Sequence, residues 1–534
     1  MQEAAMKQVL RKYGAIALVL LVIAGVCLLF SHRKSGMFID EIYTYGLSNS
    51  HYAPYLTDAA GGTLRDQVLT RQDLLDYVTV GDDGLDLGSV VYNQVRDVHP
   101  PLYYWLFHLV SQLTPHVFTK WTGLALDGLI YLWACFLLYR LVLTLYGSRY
   151  NAAATVALYG LSTIGLSTMV MIRMYVLMTA LTVLLALQVA QLIKAPRPAL
   201  YPLIGLTIFL GLMTQYYFVF YAFFLCAGYV LYALFRRDFK SLAFFALCSF
   251  AGVGLLLVCF PACLDQLFAE KLVSGGNALE NLQNTAGYSL RFELMIRPLR
   301  LKYLKAARYT ALVLLICALF CCRGVRRAGR EKRLSLMPTA LILLPALIVL
   351  PLVTVISPVP ENRYFYNLIP ILLLIVSFLF HLTEEGLGQI PHGELIKNAA
   401  VLAILALALW EARTIPPDYL YPEYRDYDAA LSPYAAGPCL YMTDDYFAPV
   451  TQDLLQLLNF SDVFLTGDPD SDALDAYLSA HGGDSCVVYI DRSPFWSSGF
   501  DPDVMLPALL ASTDYSSYAP LYENELTVTY LLSK

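Results

Sequence analysis

The sequence predicts a polytopic α-helical membrane protein that ends in a small soluble α/β domain. Three observations predict it. The chain is 58% hydrophobic and only 15% charged, whereas a soluble domain carries about 25% charged residues. Its apolar residues gather into runs close to the ~20 residues needed to cross a bilayer core. From about residue 412 those runs give way to short β-rich and helical segments. Tyr is frequent, with 39 copies, which suits a bilayer interface because its ring is apolar and its hydroxyl wants water. The net charge of −6 gives no reason to expect nucleic acid as a partner.

Taken in order, the chain holds eleven apolar runs, at about 13–31, 120–139, 151–171, 173–193, 199–216, 217–235, 241–261, 306–322, 334–356, 364–382 and 396–411. The first follows Lys7, Arg11 and Lys12, as in a signal peptide, but SHRKSGMF after it is a poor cleavage site, so it reads as an anchor. Lys and Arg in short loops favour the cytoplasm. With a cytoplasmic N-terminus, the inner turns hold Arg140 and Arg149, then Lys194 and Arg197, then Arg236, Arg237 and Lys240, then the six basic residues of CCRGVRRAGREKR. Eleven spans then place the C-terminus outside, on a multi-pass plasma-membrane protein.

Three outer segments follow from that orientation. Residues 32–119 form the first loop, with ten acidic residues and the stretches FIDEIYTY (38–45) and DVHPPL (97–102). Residues 262–305 end in MIRPLRLKYLKAAR, and 357–364 read SPVPENRY. Pro100-Pro101 cannot continue a helix, since neither ring nitrogen donates and each restrains the residue before it. The apolar stretch after them, LYYWLFHLVSQL, is too short to cross and predicts a helix along the outer surface.

Residues 1–411 thus read as a transmembrane domain and 412–534 as a soluble one. In the latter, GPCLYMT, SDVFLT and SCVVYID have strand length and composition. TQDLLQLLNF and DSDALDAYLSAH between them have helical spacing, and the alternation predicts a partly parallel α/β unit. No phosphate loop or nucleophile motif assigns it chemistry. Of the eleven cysteines, most lie in apolar runs and read as small hydrophobes. Cys321 and Cys322 sit at a basic loop where acylation is an alternative, and Cys439 with Cys486 leaves a disulfide open.

A membrane anchor, an outer loop opening with Asp40-Glu41, and DVHPPL together resemble the GT-C glycosyltransferases. The likeness is strongest to family 39, the protein O-mannosyltransferases, and to the bacterial aminoarabinose transferases. IRMYVLM (172–178) and ENRYFYNLIP (361–370) resemble that superfamily's Arg-Tyr signals before membrane spans. The likeness covers residues 10–410. TQYY (214–217) departs from it, with Gln215 where many relatives carry His.

The resemblance implies a GT-C fold and transfer of a sugar from a polyprenyl-phosphate donor to a protein, lipid or glycan acceptor outside the cytoplasm. The acceptor hydroxyl must lose a proton as it attacks the anomeric carbon, so a carboxylate is needed nearby. Asp40 matches the superfamily's first loop Asp, and Asp97 matches an acidic position that orients hydroxyls. Glu41 either supports Asp40, joins a divalent metal with Asp40 and His99, or is solvated; the metal question stays open. His99 either bonds a phosphate or caps the surface helix. Arg173 with Tyr175 and Arg363 with Tyr364 are candidates to hold the leaving lipid phosphate. Arg297, Arg300, Lys302 and Lys305 are candidates for the same task or for headgroup anchoring. Asp127, inside the second run, should pair or face water. A lipid or sugar flippase is the rival reading, but such folds favour repeats and midplane polar sites, and here the polar residues gather at one rim. A transferase with a lipid-pyrophosphate donor and an inactive scaffold are the remaining alternatives.

Overall fold

The computed structural model describes residues 2–534 apart from 83, 269–277, 279, 321–335, 388–392, 445 and 493–499. The basic loop CCRGVRRAGREKR, with Cys321 and Cys322, lies outside the described residues. Among those described, eight helices are long and apolar enough to cross a membrane, or ten if each of two bent helix pairs is one span. The chain is a multi-pass membrane protein. Ten of the eleven apolar runs correspond to these spans. The other, 199–216, forms only Leu200–Leu212, about 20 Å at 1.5 Å per residue, which is shorter than the bilayer core.

That short helix is held by backbone contact. A Cβ on Gly205 would lie 2.3 Å from the Cys248 carbonyl, and one on Gly252 would lie 2.2 Å from the Gly205 carbonyl. Leu200–Leu212 and Phe239–Cys259 therefore touch main chain to main chain, as small residues allow in lipid. Gly252→Leu should force them apart and destabilise the protein by about 1–3 kcal/mol. Thermal unfolding in detergent would show a lowered Tm; an unchanged Tm would contradict the contact.

The spans differ in how deeply they sit. Within Tyr175–Lys194, 83% of the apolar window is buried in protein, against 17% within Phe239–Cys259. The first is therefore an internal axis and the second faces lipid. Just before the axis, the span of Arg149–Gly160 and Thr163–Val170 bends by 62°. The second piece starts where Ser162 accepts a hydrogen bond from the Gly165 N–H, a local cap that competes with continuing the helix. The chain then turns through Ile172 and Arg173 before Tyr175.

Residues after 38 build a cap of short helices, Ile39–Asn49, Arg71–Val78, Leu87–Arg96 and Leu102–Ser111. The last is the predicted surface helix. It is not merely laid on a surface, because Tyr103, Tyr104 and Phe107 are buried in the hydrophobic core and His108 is buried as well. Asp127, within the Lys120–Tyr146 span, pairs with this helix by accepting from the Tyr103 hydroxyl at 2.8 Å.

The C-terminal part is a six-stranded sheet made of β1 (Gln67–Thr70), β2 (Cys439–Met442), β3 (Asp462–Thr466), β4 (Ser485–Asp491), β5 (Ser517–Glu523) and β6 (Thr527–Ser533), in the order β1-β3-β2-β4-β6-β5. The three expected strands are β2, β3 and β4, and they run parallel. β5 and β6 add an antiparallel hairpin. Cys439 and Cys486 are both free and buried, opposite Val487 and Leu532 respectively, so no disulfide joins them.

β1 comes from the first loop and pairs antiparallel with β3 across almost four hundred residues, Gln67 opposite Leu465. Its four residues carry no strand signal of their own. They are ordered by the edge that β3 presents, an unpaired row of donors and acceptors. The Thr466 hydroxyl donates to Asp66 at 2.6 Å, and Tyr55 of the loop stacks on Phe447 at 4.4 Å. The loop that carries Asp40 and His99 is thereby tied to the C-terminal sheet.

Candidate active site

Asp40 is the second residue of Ile39–Asn49, and its carboxylate meets two arginines from distant elements. Arg363 Nη1 donates to Asp40 Oδ2 at 2.5 Å. Arg173 Nη2 lies 4.0 Å from the same oxygen, while its Nη1 donates to the Asp40 carbonyl at 3.1 Å and to the Tyr104 hydroxyl at 2.9 Å. Both arginines are buried. Arg363 comes from the 3-10 turn Asn362–Leu368 that opens a late span, and Arg173 from the turn before the internal axis. Partial burial pushes the Asp40 carboxyl up, but Arg363, Arg173 and His99 outweigh it and hold the group below its usual range.

A cavity of about 380 Å3 opens beside this carboxylate, and Asp40, His99, Arg173, Gln215 and Arg363 supply its polar lining. Its other walls are aromatic and aliphatic, with Tyr217 against Tyr364 at 5.1 Å and Tyr175 edge-on to Tyr364 at 6.3 Å. Phe220 and Ile356, from two separate membrane spans, continue the apolar side. One end of the cavity is therefore cationic and the rest is greasy, a shape matched to an amphiphile with an anionic head.

The Pro100-Pro101 bend delivers His99 to this cavity. Leu87–Arg96 ends at Asp97, the chain turns, and the Leu102 N–H donates to the Met213 carbonyl at 3.0 Å. Asp97 does not line the cavity. It lies behind, 2.7 Å from His99 Nδ1, so an ionised Asp97 accepts from Nδ1–H and orients the ring. Burial pushes the Asp97 carboxyl up, but His99 and then Arg173 hold it below its usual value.

Glu41 turns the other way. Successive helical residues are rotated by about 100°, so the neighbour of Asp40 cannot share its face. Glu41 is fully buried with Lys34 at 2.9 Å, and it accepts from the Phe38 N–H at 2.7 Å and the Ile172 N–H at 2.8 Å. Lys34 Nζ also donates to the Tyr419 carbonyl at 2.6 Å. The pair thus pins the Asp40 helix to the Arg173 turn and to residues 415–423, a strap between the last span and the C-terminal part, and Glu41 does not reach the cavity. Asp40, Glu41 and His99 consequently do not converge as a metal set, and among the described residues no three His, Cys, Asp or Glu side chains are placed to hold a metal ion.

The structure does not bring the 297–305 group to Asp40 either. Arg297 pairs along its own helix with Glu293, Arg300 is exposed, and Lys302 pairs with Asp418. None of these, nor Lys305, lines the cavity. Three residues around the site were not singled out from the sequence. Tyr104 anchors Arg173, and Glu361 lies 2.9 Å from Arg363 Nε. Gln266 donates from one amide to the carbonyls of Gln94 and Asp97, each at 2.7 Å, and so fixes the DVHPPL turn. Only Glu361, two residues from Arg363 in SPVPENRY, was within reach of sequence reasoning.

No protein-family model and no curated protein matches this sequence. Among solved structures, the chain is similar to ArnT from Cupriavidus metallidurans in the apo state, at 12% identity and a TM-score of 0.50, covering 98% of each chain. ArnT bound to undecaprenyl phosphate is 12% identical with a TM-score of 0.49, covering 97% of this chain and 98% of that one. The Archaeoglobus fulgidus oligosaccharyltransferase in its apo form is 10% identical with a TM-score of 0.48, covering 89% of this chain and 69% of that one. The likeness to apo ArnT shows a shared fold, and the alignment spans the C-terminal sheet as well as the membrane part.

Proposed function

We propose that this protein is a membrane glycosyltransferase that moves a hexosyl or pentosyl group from a polyprenyl-phosphate carrier to a protein, lipid or cell-envelope acceptor. The observation that carries this reading is the pairing of one carboxylate, Asp40, with two buried arginines at the polar end of an otherwise apolar cavity. A transporter needs a site that both sides of the membrane can reach in turn. This cluster sits instead among short cap helices and helix breaks at one rim.

The chemistry follows from those groups. The acceptor oxygen forms a bond to the anomeric carbon as the bond from that carbon to the lipid phosphate breaks. The acceptor's proton passes to Asp40, and the lipid phosphate leaves with the electron pair. Arg363 and Arg173 stabilise its charge through charge-assisted hydrogen bonds. An arriving phosphate competes with Asp40 for Arg363, and each bond it takes releases the carboxylate to act as a base. His99, oriented by Asp97, faces the same space. In this reading the short helix Leu200–Leu212 returns the chain from Lys194 to the level of the cavity and counts as an eleventh crossing, so the cavity opens to the non-cytoplasmic side of the plasma membrane, with the N-terminus in the cytoplasm and residues 412–534 as an outer domain.

The test uses full-length protein in nanodiscs with undecaprenyl phosphate as probe. The wild type should bind it, and Arg363→Ala should weaken binding about ten- to a hundredfold, the worth of one charge-assisted hydrogen bond lost. Arg363→Lys should fall between, because an ammonium keeps the charge but not the fork. Equal affinity of wild type and Arg363→Ala would remove the phosphate contact from the reading.

A further inference from the structure

The turn between Leu200–Leu212 and Phe218–Phe235 places Gln215 in the cavity wall. Its neighbours are all committed. The Thr214 hydroxyl donates to the Leu210 carbonyl at 2.8 Å, the Tyr216 hydroxyl donates to Gln266 at 2.6 Å, and the Tyr217 ring packs on Tyr364. Gln215 itself is 97% buried, being 3% exposed, and its main chain closes the turn by accepting from the Phe218 N–H. Its side-chain carboxamide bonds to no described residue. Because Gln215 lines the cavity, its amide donor and acceptor are left to whatever occupies that space, in a frame whose other polar groups are already used.

The kind of partner can be narrowed. The phosphate of a lipid carrier has only acceptor oxygens, and Arg363, Arg173 and His99 already offer it donors. A carboxamide both donates and accepts, which matches a hydroxyl, also donor and acceptor. We infer that Gln215 holds a hydroxyl of the donor sugar and so selects which sugar-bearing carrier is used. This rests on the transferase reading above and names the residue that would set its sugar preference.

The experiment compares two probes on full-length protein in nanodiscs, bare undecaprenyl phosphate and a set of undecaprenyl-phosphate hexoses. Gln215→Met, near in volume but unable to bond, should weaken the preferred hexose lipid about three- to tenfold. It should leave bare undecaprenyl phosphate within twofold. Gln215→Asn, which keeps the amide on a shorter stem, should weaken the same lipid and shift the rank order among hexoses. Equal weakening of both probes would make Gln215 a phosphate contact, and no change in either would remove it from the site; each overturns the inference. Should Gln215→Met not fold, an unaltered hexose ranking in Gln215→Asn overturns it instead. A wild type that binds neither probe refutes the transferase reading, whereas a wild type that binds both without discrimination by the variants refutes only the sugar contact.

Discussion

Asp40→Asn is expected to abolish sugar transfer while the protein still folds and still binds undecaprenyl phosphate. Asn keeps the shape of the side chain but cannot take up the acceptor's proton, and general-base catalysis alone contributes about 10²–10⁴-fold. The substitution also removes the anion that holds Arg363 at 2.5 Å. The guanidinium then has no carboxylate to leave, so phosphate binding should be unchanged or tighter as turnover disappears. That split separates a base from a residue that merely positions Arg363, whose loss would weaken both. The pH profile gives a second check. Burial raises the Asp40 carboxyl, but Arg363 and Arg173 hold it below the ordinary range in the free protein. A base works when deprotonated, so kcat/KM should be level through neutral pH and fall only in acid, as pH drops through that lowered value. Full activity of Asp40→Asn in membranes would overturn the assignment.

Lys34→Ala is expected to cost about 3–5 kcal/mol, because it leaves the Glu41 charge buried and uncompensated. Both members are fully buried, and their bonds reach the 419 strap and the Arg173 turn as well as each other. The loss should therefore appear as poor yield, a Tm lowered by several degrees, and a reduced kcat in whatever folds, since Asp40 and Arg173 lose their common brace. Lys34→Met combined with Glu41→Gln removes both charges and keeps an acceptor for the Ile172 N–H. That double variant should recover much of the Tm lost by Lys34→Ala. Wild-type stability in Lys34→Ala would show that the pair is not a brace.

These two cases mark how far the site could be read from the chain alone. Asp40, His99, Arg173 and Arg363 were singled out as members of short motifs that carry a resemblance, and the sequence offered headgroup anchoring as an alternative use for the arginines. Glu41 was grouped with Asp40 by adjacency, and neighbours on a helix point about 100° apart. The 297–305 group was grouped by charge, but its members find partners in Glu293 and Asp418. Gln215 was noticed only as a departure from a resemblance, since an uncharged side chain announces nothing until its lack of a partner is seen.

By itself the sequence determined the membrane class, ten of the eleven spans and the positions of three strands of the C-terminal sheet. Those depend on hydrophobic length and periodicity, which are properties of a few neighbouring residues. The tertiary structure decided which charges meet, because Asp40 and Arg363 are 323 positions apart and no local pattern encodes that approach. It also decided that four unremarkable residues, Gln67–Thr70, become a strand. Hydrogen bonds offered by a distant edge, rather than their own propensity, give them their conformation.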